Sequence, residues 1–200
     1  MKSTLLLSIV AVASALAVPM AARGQVAPER PPRDLSAPDY KYQAFVGWGY
    51  TSLNQVNQSR SGLQGVTGSV MRNLGDHFGF KVDGGHYAWS VTSSNAVVGN
   101  PSVDLYLAGP VVRGNLFEKW SAYAEALIGA AHTGVISIQP NYSFAGGVGI
   151  GLDYNKTARW TIRMYGDDIG SSFTLAPYQP GDSPHRRWNA RAGIGLAYRF

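Results

Sequence analysis

The sequence predicts an all-β fold, an eight-stranded antiparallel transmembrane β-barrel with short periplasmic turns and longer extracellular loops. Three observations predict it: segments of about ten residues alternate apolar with small or polar residues, their connections alternate in length, and aromatic residues cluster at the segment ends. Charged residues make up only 14% of the 200-residue chain, less than a soluble domain usually carries. The apolar runs are too short for membrane-spanning helices.

The clearest alternating segment is the last one, residues 188–200. Its even positions are all apolar, whereas its odd positions include Arg191, Arg199 and two glycines. This period of two is typical of a strand with two different faces. The segment around Val66 is the weakest, and its register stays open. The upstream segments begin near Tyr42, Val66, Phe80, Val103, Trp120, Tyr142 and Trp160.

The connections between these segments are alternately short and long. Short turns at one end and long loops at the other are the layout of transmembrane barrels, and the termini then lie on the short-turn, periplasmic side. Aromatic residues are predicted at both strand ends, flanking an aliphatic band, as at two membrane interfaces. The tight turns are residues 73–76, 115–119 and 155–158, and the longer connections are residues 53–61, 90–101, 133–141 and 174–187.

The start of the chain has the features of a secretory signal peptide, predicted at residues 1–24. Lys2 supplies the positive charge, and an apolar stretch of suitable length ends at Ala17. Cleavage is predicted after Ala17 or near Gly24. A membrane anchor is the weaker alternative, because the stretch is too short to span a bilayer easily.

A proline-rich leader in the periplasm is predicted at residues 25–41, before a barrel at residues 42–200. Its prolines prevent a regular helix or a central strand, which indicates an extended segment. A partner-binding proline-rich motif is the functional alternative. The net charge of +5 includes no block of lysines and arginines, so nucleic-acid binding is not expected.

Six stretches spread over the predicted barrel share an order and spacing with a known family. They are residues 75–87 (GDHFGFKVDGGHY), 105–113 (LYLAGPVVR), 123–132 (YAEALIGAAH), 147–154 (GVGIGLDY), 160–168 (WTIRMYGDD) and 192–200 (AGIGLAYRF). Together they resemble the small outer-membrane β-barrel domain related to OmpA and the opacity porins. The resemblance implies insertion by the outer-membrane assembly machinery, with Tyr198 and Phe200 as its recognition signal. Because the sequence stops at Phe200, the peptidoglycan-binding domain of OmpA is not expected.

The inner face of such a barrel should be polar and charged. Unpaired buried charges are costly, and an eight-stranded barrel holds little besides side chains. We therefore predict an ion-paired plug in the lumen, and a narrow or gated ion path is the alternative. Glycines at residues 147–151 are predicted to leave room for bulky residues opposite. The charged residues assigned to the lumen are Lys81, Asp83, Asp104, Glu125, Asp153, Arg163, Asp167, Arg191 and Arg199.

Enzymatic activity is not predicted, and neither is a cofactor or a metal. The chain has no cysteine, and its four histidines show no metal-ligand spacing. A hydrolase needs a nucleophile, a base and an orienting carboxylate in contact. The carboxylate nearest to His132 is Glu125, which should lie deeper in the barrel. His132 is interpreted as a polar residue at the strand mouth.

The predicted function is a structural role in the integrity of the bacterial outer membrane, reached through the cleaved signal peptide. The alternatives are a narrow, porin-like ion channel and a surface adhesin that acts through the extracellular loops. Expected partners are outer-membrane lipid and lipopolysaccharide, with Arg186 and Arg187 as candidate contacts to lipopolysaccharide phosphates, and a monomer is expected. A soluble, lipocalin-like barrel is the alternative to membrane insertion, and it requires apolar residues inside.

Overall fold

The protein forms a closed barrel of eight strands, and the predicted fold class is confirmed. A computed structural model describes residues 40–54, 60–92, 102–134, 141–171 and 187–200. Each strand pairs antiparallel with the next, and β8 pairs with β1. Among the described residues, no helix has the length and apolarity needed to cross a bilayer. The strands are β1 (Tyr42–Asn54), β2 (Arg60–Asn73), β3 (Phe78–Thr92), β4 (Ser102–Phe117), β5 (Trp120–Gly134), β6 (Asn141–Asn155), β7 (Trp160–Ser171) and β8 (Arg187–Arg199).

Three short turns lie at one end of the barrel, here called the short-turn end. They are residues 74–77, 118–119 and 156–159. The barrel closes at this end, where the Tyr42 amide donates to the Phe200 carbonyl at 2.9 Å and the Phe200 amide donates to the Tyr42 carbonyl at 3.0 Å. The described residues exclude the predicted signal peptide and the leader up to residue 39. They also exclude residues 55–59, 93–101, 135–140 and 172–186, which lie in or directly beside the predicted long loops.

The outward face of the barrel is an aliphatic band between two sets of aromatic rings. At the short-turn end, exposed or half-exposed rings pair across strands, as Trp160 does with Tyr198 at a centroid distance of 4.9 Å. At the opposite end, Tyr142 and Trp188 are exposed. This arrangement is typical of barrels that span a bilayer, in which amphipathic rings lie at both headgroup levels. The soluble-barrel alternative is wrong, because the exposed face is apolar. Its mid-strand residues include Val46, Val148, Ile150, Ile194 and Leu196.

Strand β4 turns the opposite face inward from the one predicted. Asp104 lies on the outward face, so its assignment to the lumen is wrong. Both faces of β4 are largely apolar, and alternation alone could not tell which one points inward. The pairing register shows which face of β4 points into the lumen. Leu107 pairs with Asp83 and Val111 pairs with Glu125, and residues directly opposite each other in a sheet share a face. The lumen face of β4 is Val103, Leu105, Leu107, Val111 and Arg113.

Candidate functional site: the barrel lumen

The lumen contains eight of the nine charged residues that the sequence assigned to it. Each is at most 7% exposed, and they form two groups at different heights. The group in the middle of the barrel is called the central layer and consists of Lys81, Asp83, Glu125, Asp167 and Arg191. The group nearer the short-turn end is called the mouth layer and consists of Arg113, Asp153, Arg163 and Arg199 with the amides of Gln43 and Asn155.

The central layer is one chain of ion pairs that crosses the lumen. Lys81 Nζ donates to both carboxylate oxygens of Glu125 at 2.8 Å and lies 3.3 Å from Asp83 Oδ2. Arg191 Nη1 donates to Asp83 Oδ1 at 2.5 Å, and its Nε donates to Asp167 Oδ2 at 2.7 Å. Four strands, β3, β5, β7 and β8, are therefore tied together by charge-assisted hydrogen bonds.

The mouth layer is built around Asp153. Arg163 donates from Nε to Asp153 Oδ1 at 2.8 Å and from Nη2 to Oδ2 at 2.7 Å, a bidentate pair, and also to Gln43 Oε1 at 2.6 Å. Arg113 Nη2 lies 3.4 Å from the same carboxylate. Arg163 and Asp167, four residues apart on β7, thus pair with other strands and not with each other.

Three further residues of the mouth layer, Arg113, Gln43 and Asn155, were not predicted from the sequence. Arg199, which was predicted, donates to Asn155 Oδ1, and Arg113 donates to the hydroxyl of Tyr40. Arg113 was missed because the facing of β4 was inverted, and counting back from the turn at residues 118–119 would not find it, because the register shifts between Asn115 and Phe117. Asn155 and Gln43 carry no charge, so alternation gave no reason to single them out.

A tyrosine ring separates the two ionic layers. The Tyr123 ring has Arg163 Cζ at 4.7 Å and Lys81 Nζ at 5.8 Å from its centroid, both within the range of cation–π attraction. Gly151, opposite it on β6, leaves the space for this ring, since a Cβ there would overlap the ring atoms. The predicted role of the glycines at residues 147–151 is confirmed at this position.

An apolar layer fills the lumen between the central layer and the long-loop end. Leu63 and Tyr87 have no exposed surface, and Leu107 and Leu127 are buried beside them. Because β4 brings an apolar face inward, this half of the lumen is mainly hydrophobic and carries none of the predicted charges. Its buried polar side chains are uncharged and include Thr51, Thr133, Ser143, Ser171 and Asn189. The layer consists of Leu63, Tyr87, Val103, Leu105, Leu107, Leu127, Ala131, Ala145 and Ile169.

Asp104 belongs to a separate polar cluster on the outward face. The Nδ1 of His86 lies 2.5 Å from Asp104 Oδ1, and the Nδ1 of His132 lies 3.4 Å from Oδ2. His132 also packs on Tyr142, with ring centroids 4.3 Å apart. Glu125 bonds Lys81 in the lumen and is no partner of His132. Within the described residues, no group of three or more His, Asp or Glu side chains is placed to hold a metal ion.

Replacing Asp104 with asparagine should leave the barrel folded and change its unfolding free energy by no more than about 1 kcal/mol, as is usual for partly exposed ion pairs. The reason is that both imidazoles and the carboxylate keep contact with solvent or headgroups. Urea unfolding of the protein in detergent micelles measures the change. A loss above about 3 kcal/mol would show that this cluster, like a buried pair, is shielded from water.

Of the two other predicted sites, the structure describes the side chains of the assembly signal but not those of the lipopolysaccharide contact. Tyr198 and Phe200 lie at the short-turn end, where their rings are 6.2 Å apart and Phe200 also stacks on Tyr42 at 5.9 Å. Their part in assembly stays a prediction. Arg186 lies outside the described residues, and the side chain of Arg187 is not described either.

Comparison with known proteins identifies the fold. No protein-family model matches the sequence, and a comparison with curated proteins finds no match. Among solved structures, Neisserial surface protein A aligns with a TM-score of 0.61 at 10% identity, over 80% of this chain and 97% of that one. Ail, the attachment invasion locus protein of Yersinia pestis, aligns with a TM-score of 0.53 at 15% identity, over 80% and 99%. The N-terminal β-barrel domain of Pseudomonas aeruginosa OprF gives 0.50 at 17%, over 80% and 98%. The chain therefore has the fold of the small eight-stranded outer-membrane β-barrels.

Proposed function

We propose that the protein is a structural barrel of the bacterial outer membrane whose own side chains close its lumen. The observation that carries this proposal is the apolar layer. Leu63 and Tyr87 are completely buried in it, and Leu107 is 2% exposed. An ion that crosses the barrel would have to shed its hydration among these side chains, as at a hydrophobic constriction that gates by dewetting.

The outward surface supports the membrane location. The aliphatic band and the two aromatic ends match a bilayer, and all strong ionic contacts of the central and mouth layers point away from it. Export through a cleaved signal peptide at residues 1–24, contact of Arg186 and Arg187 with lipopolysaccharide, and delivery by the assembly machinery through Tyr198 and Phe200 complete the proposal.

Conductance in planar lipid bilayers tests the closed lumen. The wild-type barrel should show no unitary conductance steps above the baseline, with an open porin as the positive control. A Leu105→Ser/Leu107→Ser variant should introduce small steps, because it hydrates the apolar layer while both ionic layers stay in place. A Val148→Ser/Ile150→Ser variant changes the outward face of β6 and serves as the matched control.

Stable steps from the wild-type protein would contradict the proposal and favour the narrow-channel alternative. Steps that appear equally in both double variants would indicate damaged barrels and not an opened lumen. The adhesin alternative rests on the long loops, which lie outside the described residues, and binding of cells with exchanged loops would test it.

A further inference from the structure

One side of the outward face of the barrel is hollowed into a groove of about 780 Å³. Its floor lies where the outward positions of neighbouring strands carry small residues: Ala108 on β4, Ala126 on β5, Gly146 on β6 and Gly170 on β7. Leu127 also lines the groove, although its side chain is buried on the lumen side, so the floor reaches the backbone of the sheet. The small residues thus leave a depression in the barrel wall.

The deepest part of the groove is a slot between two large side chains. Gly146 and Gly170 are directly paired on β6 and β7, and the residues paired with them on the far sides are Ile128 and Trp188. A Cβ at Gly146 would lie 3.6 Å from Ile128 Cγ2, and one at Gly170 would lie 3.7 Å from Trp188 Cε3. The two large side chains therefore form the walls of a slot that is two strands wide and runs along the strands.

This groove lies at the level of the lipid hydrocarbon. Trp188 and Phe144 bound it toward the long-loop end, and Phe80 bounds it toward the short-turn end. The described residues that line it are all apolar or glycine. A bound water needs at least two polar partners, so water does not fill such a groove. An empty groove would lose dispersion contacts over its whole surface, so hydrocarbon or another apolar surface has to fill it.

An acyl chain fits the groove better than a second copy of this chain does. Two copies related by a twofold axis present the same patch to each other, so at the axis groove would face groove and the space would stay unfilled. A lipid chain is thin and flexible, and it lies along the barrel wall in any case. The volume of about 780 Å³ is within the range of about 300–1,000 Å³ found for pockets that bury one small ligand.

We propose that the groove is a binding site for one acyl chain of a lipid in the leaflet at the long-loop end, packed on the backbone of Gly146 and Gly170 between Ile128 and Trp188. Both glycines lie in the long-loop halves of their strands, which selects that leaflet. Because lipid tails are as apolar as these side chains, the preference for the groove comes from packing and not from transfer out of water. The inference rests on the proposed outer-membrane barrel but not on its closed lumen, so the conductance experiment and the one below fail independently.

The two glycines of the slot allow it to be filled without strain in the sheet. The nearest neighbour of an added Cβ is the Leu127 carbonyl oxygen at 3.4 Å for Gly146 and the Gly146 carbonyl oxygen at 3.5 Å for Gly170, both ordinary van der Waals contacts. Gly68 and Gly166 are outward glycines that do not line the groove, and an added Cβ there would have its nearest neighbour at 3.4 and 3.9 Å. They provide the matched control.

Native mass spectrometry of the folded full-length protein tests the site, after reconstitution with dipalmitoyl phosphatidylcholine and transfer into detergent. We expect the wild-type barrel to retain one lipid. Gly146→Leu/Gly170→Leu should lower the ratio of lipid-bound to lipid-free barrel about tenfold, which corresponds to the loss of about ten atom contacts. Gly68→Leu/Gly166→Leu should leave the ratio unchanged. Dipalmitoyl phosphatidylglycerol should be retained equally well, because the chain and not the headgroup is bound.

The absence of a retained lipid in the wild-type protein would overturn the proposal, and so would equal losses from the two double variants. Retention that follows the headgroup would show an electrostatic contact instead. A wild-type dimer that Gly146→Leu/Gly170→Leu abolishes would show that a second copy covers the groove. Heat-modifiable migration on SDS gels reports whether this variant folds. If it does not fold, Gly146→Ala/Gly170→Ala decides, and unchanged retention in that variant is contrary to a chain in the slot.

Discussion

Replacing Asp153 with alanine is expected to lower the unfolding free energy of the barrel by about 3–5 kcal/mol, the usual cost of removing one partner from a buried ion pair. Asp153 has no exposed surface and accepts two hydrogen bonds from Arg163. Arg113 loses its carboxylate in the same variant. Two guanidiniums would thus remain buried without the carboxylate that pairs with them and beside a third cation, Arg199, so the loss should exceed that of any exposed pair.

Urea unfolding in micelles, followed by tryptophan fluorescence, measures this loss. Asp76→Ala removes a carboxylate from the exposed turn at residues 74–77 and should change the unfolding free energy by less than about 0.5 kcal/mol. An Asp153→Leu/Arg163→Leu variant removes both partners and should recover part of the stability, because the charge of Arg163 is removed together with that of Asp153 and is not left unpaired. A cost of less than about 1 kcal/mol for Asp153→Ala would mean that water replaces the carboxylate, contrary to the tight pairing proposed here.

Strand number and the inward direction of most charges could be predicted because the two faces of most strands differ sharply in polarity. Arg191 and Arg199 alternate with apolar residues on β8, and Lys81 and Asp83 alternate with Phe80 and Val82 on β3. Only one orientation of such a strand avoids placing charges in lipid. The weak β2 segment also follows the expected alternation, since Val66 and Val70 are exposed while Thr67 and Ser69 are buried.

The inward face of β4 was predicted wrongly because the two faces of this strand differ little in polarity. Apart from Asp104, the residues that alternate with Val103, Leu105 and Leu107 are also largely apolar, so Asp104 is the one charge from which alternation can assign the inward face. In the barrel, Asp104 instead lies near the long-loop end and bonds two histidines. At this height a charge on the outward face meets headgroups and not hydrocarbon. The hydrophobic half of the lumen therefore could not be predicted from alternation.

The pairing partners inside the lumen were also beyond the sequence. Arg191 and Asp83 lie on β8 and β3, which are not neighbours in the sheet, and their contact exists only because the barrel is closed and its strands are staggered. The position of Tyr40 over Arg113 depends on the path of the chain before β1. Alternation identifies a face, whereas closure and side-chain length decide which residues on that face meet.

Alanine at Gly129 is expected to destabilise the barrel by about 3 kcal/mol or to prevent its folding, the upper range for overpacking a tightly filled site. Gly129 faces the lumen on β5, and a Cβ there would overlap the carbonyl oxygen of Tyr106 and lie 3.0 Å from Leu107 Cα. These are backbone atoms of β4 that also carry the β4–β5 ladder. Neither strand can move away without breaking its pairing, so the added methyl group has no inexpensive relief.

Gly166 provides the matched control on the outward face of β7. A Cβ there would have the carbonyl oxygen of Arg191 as its nearest neighbour at 3.9 Å, which is ordinary van der Waals contact. Gly166→Ala should therefore leave the barrel folded and either not change its stability or raise it by up to about 1 kcal/mol, because alanine restricts the unfolded chain. Urea unfolding and heat-modifiable migration measure both variants. Equal losses of stability from Gly129→Ala and Gly166→Ala would mean that the glycines act through strand propensity. A loss confined to Gly129→Ala would show that the β4 and β5 backbones approach so closely at Gly129 that a residue without a side chain is required there.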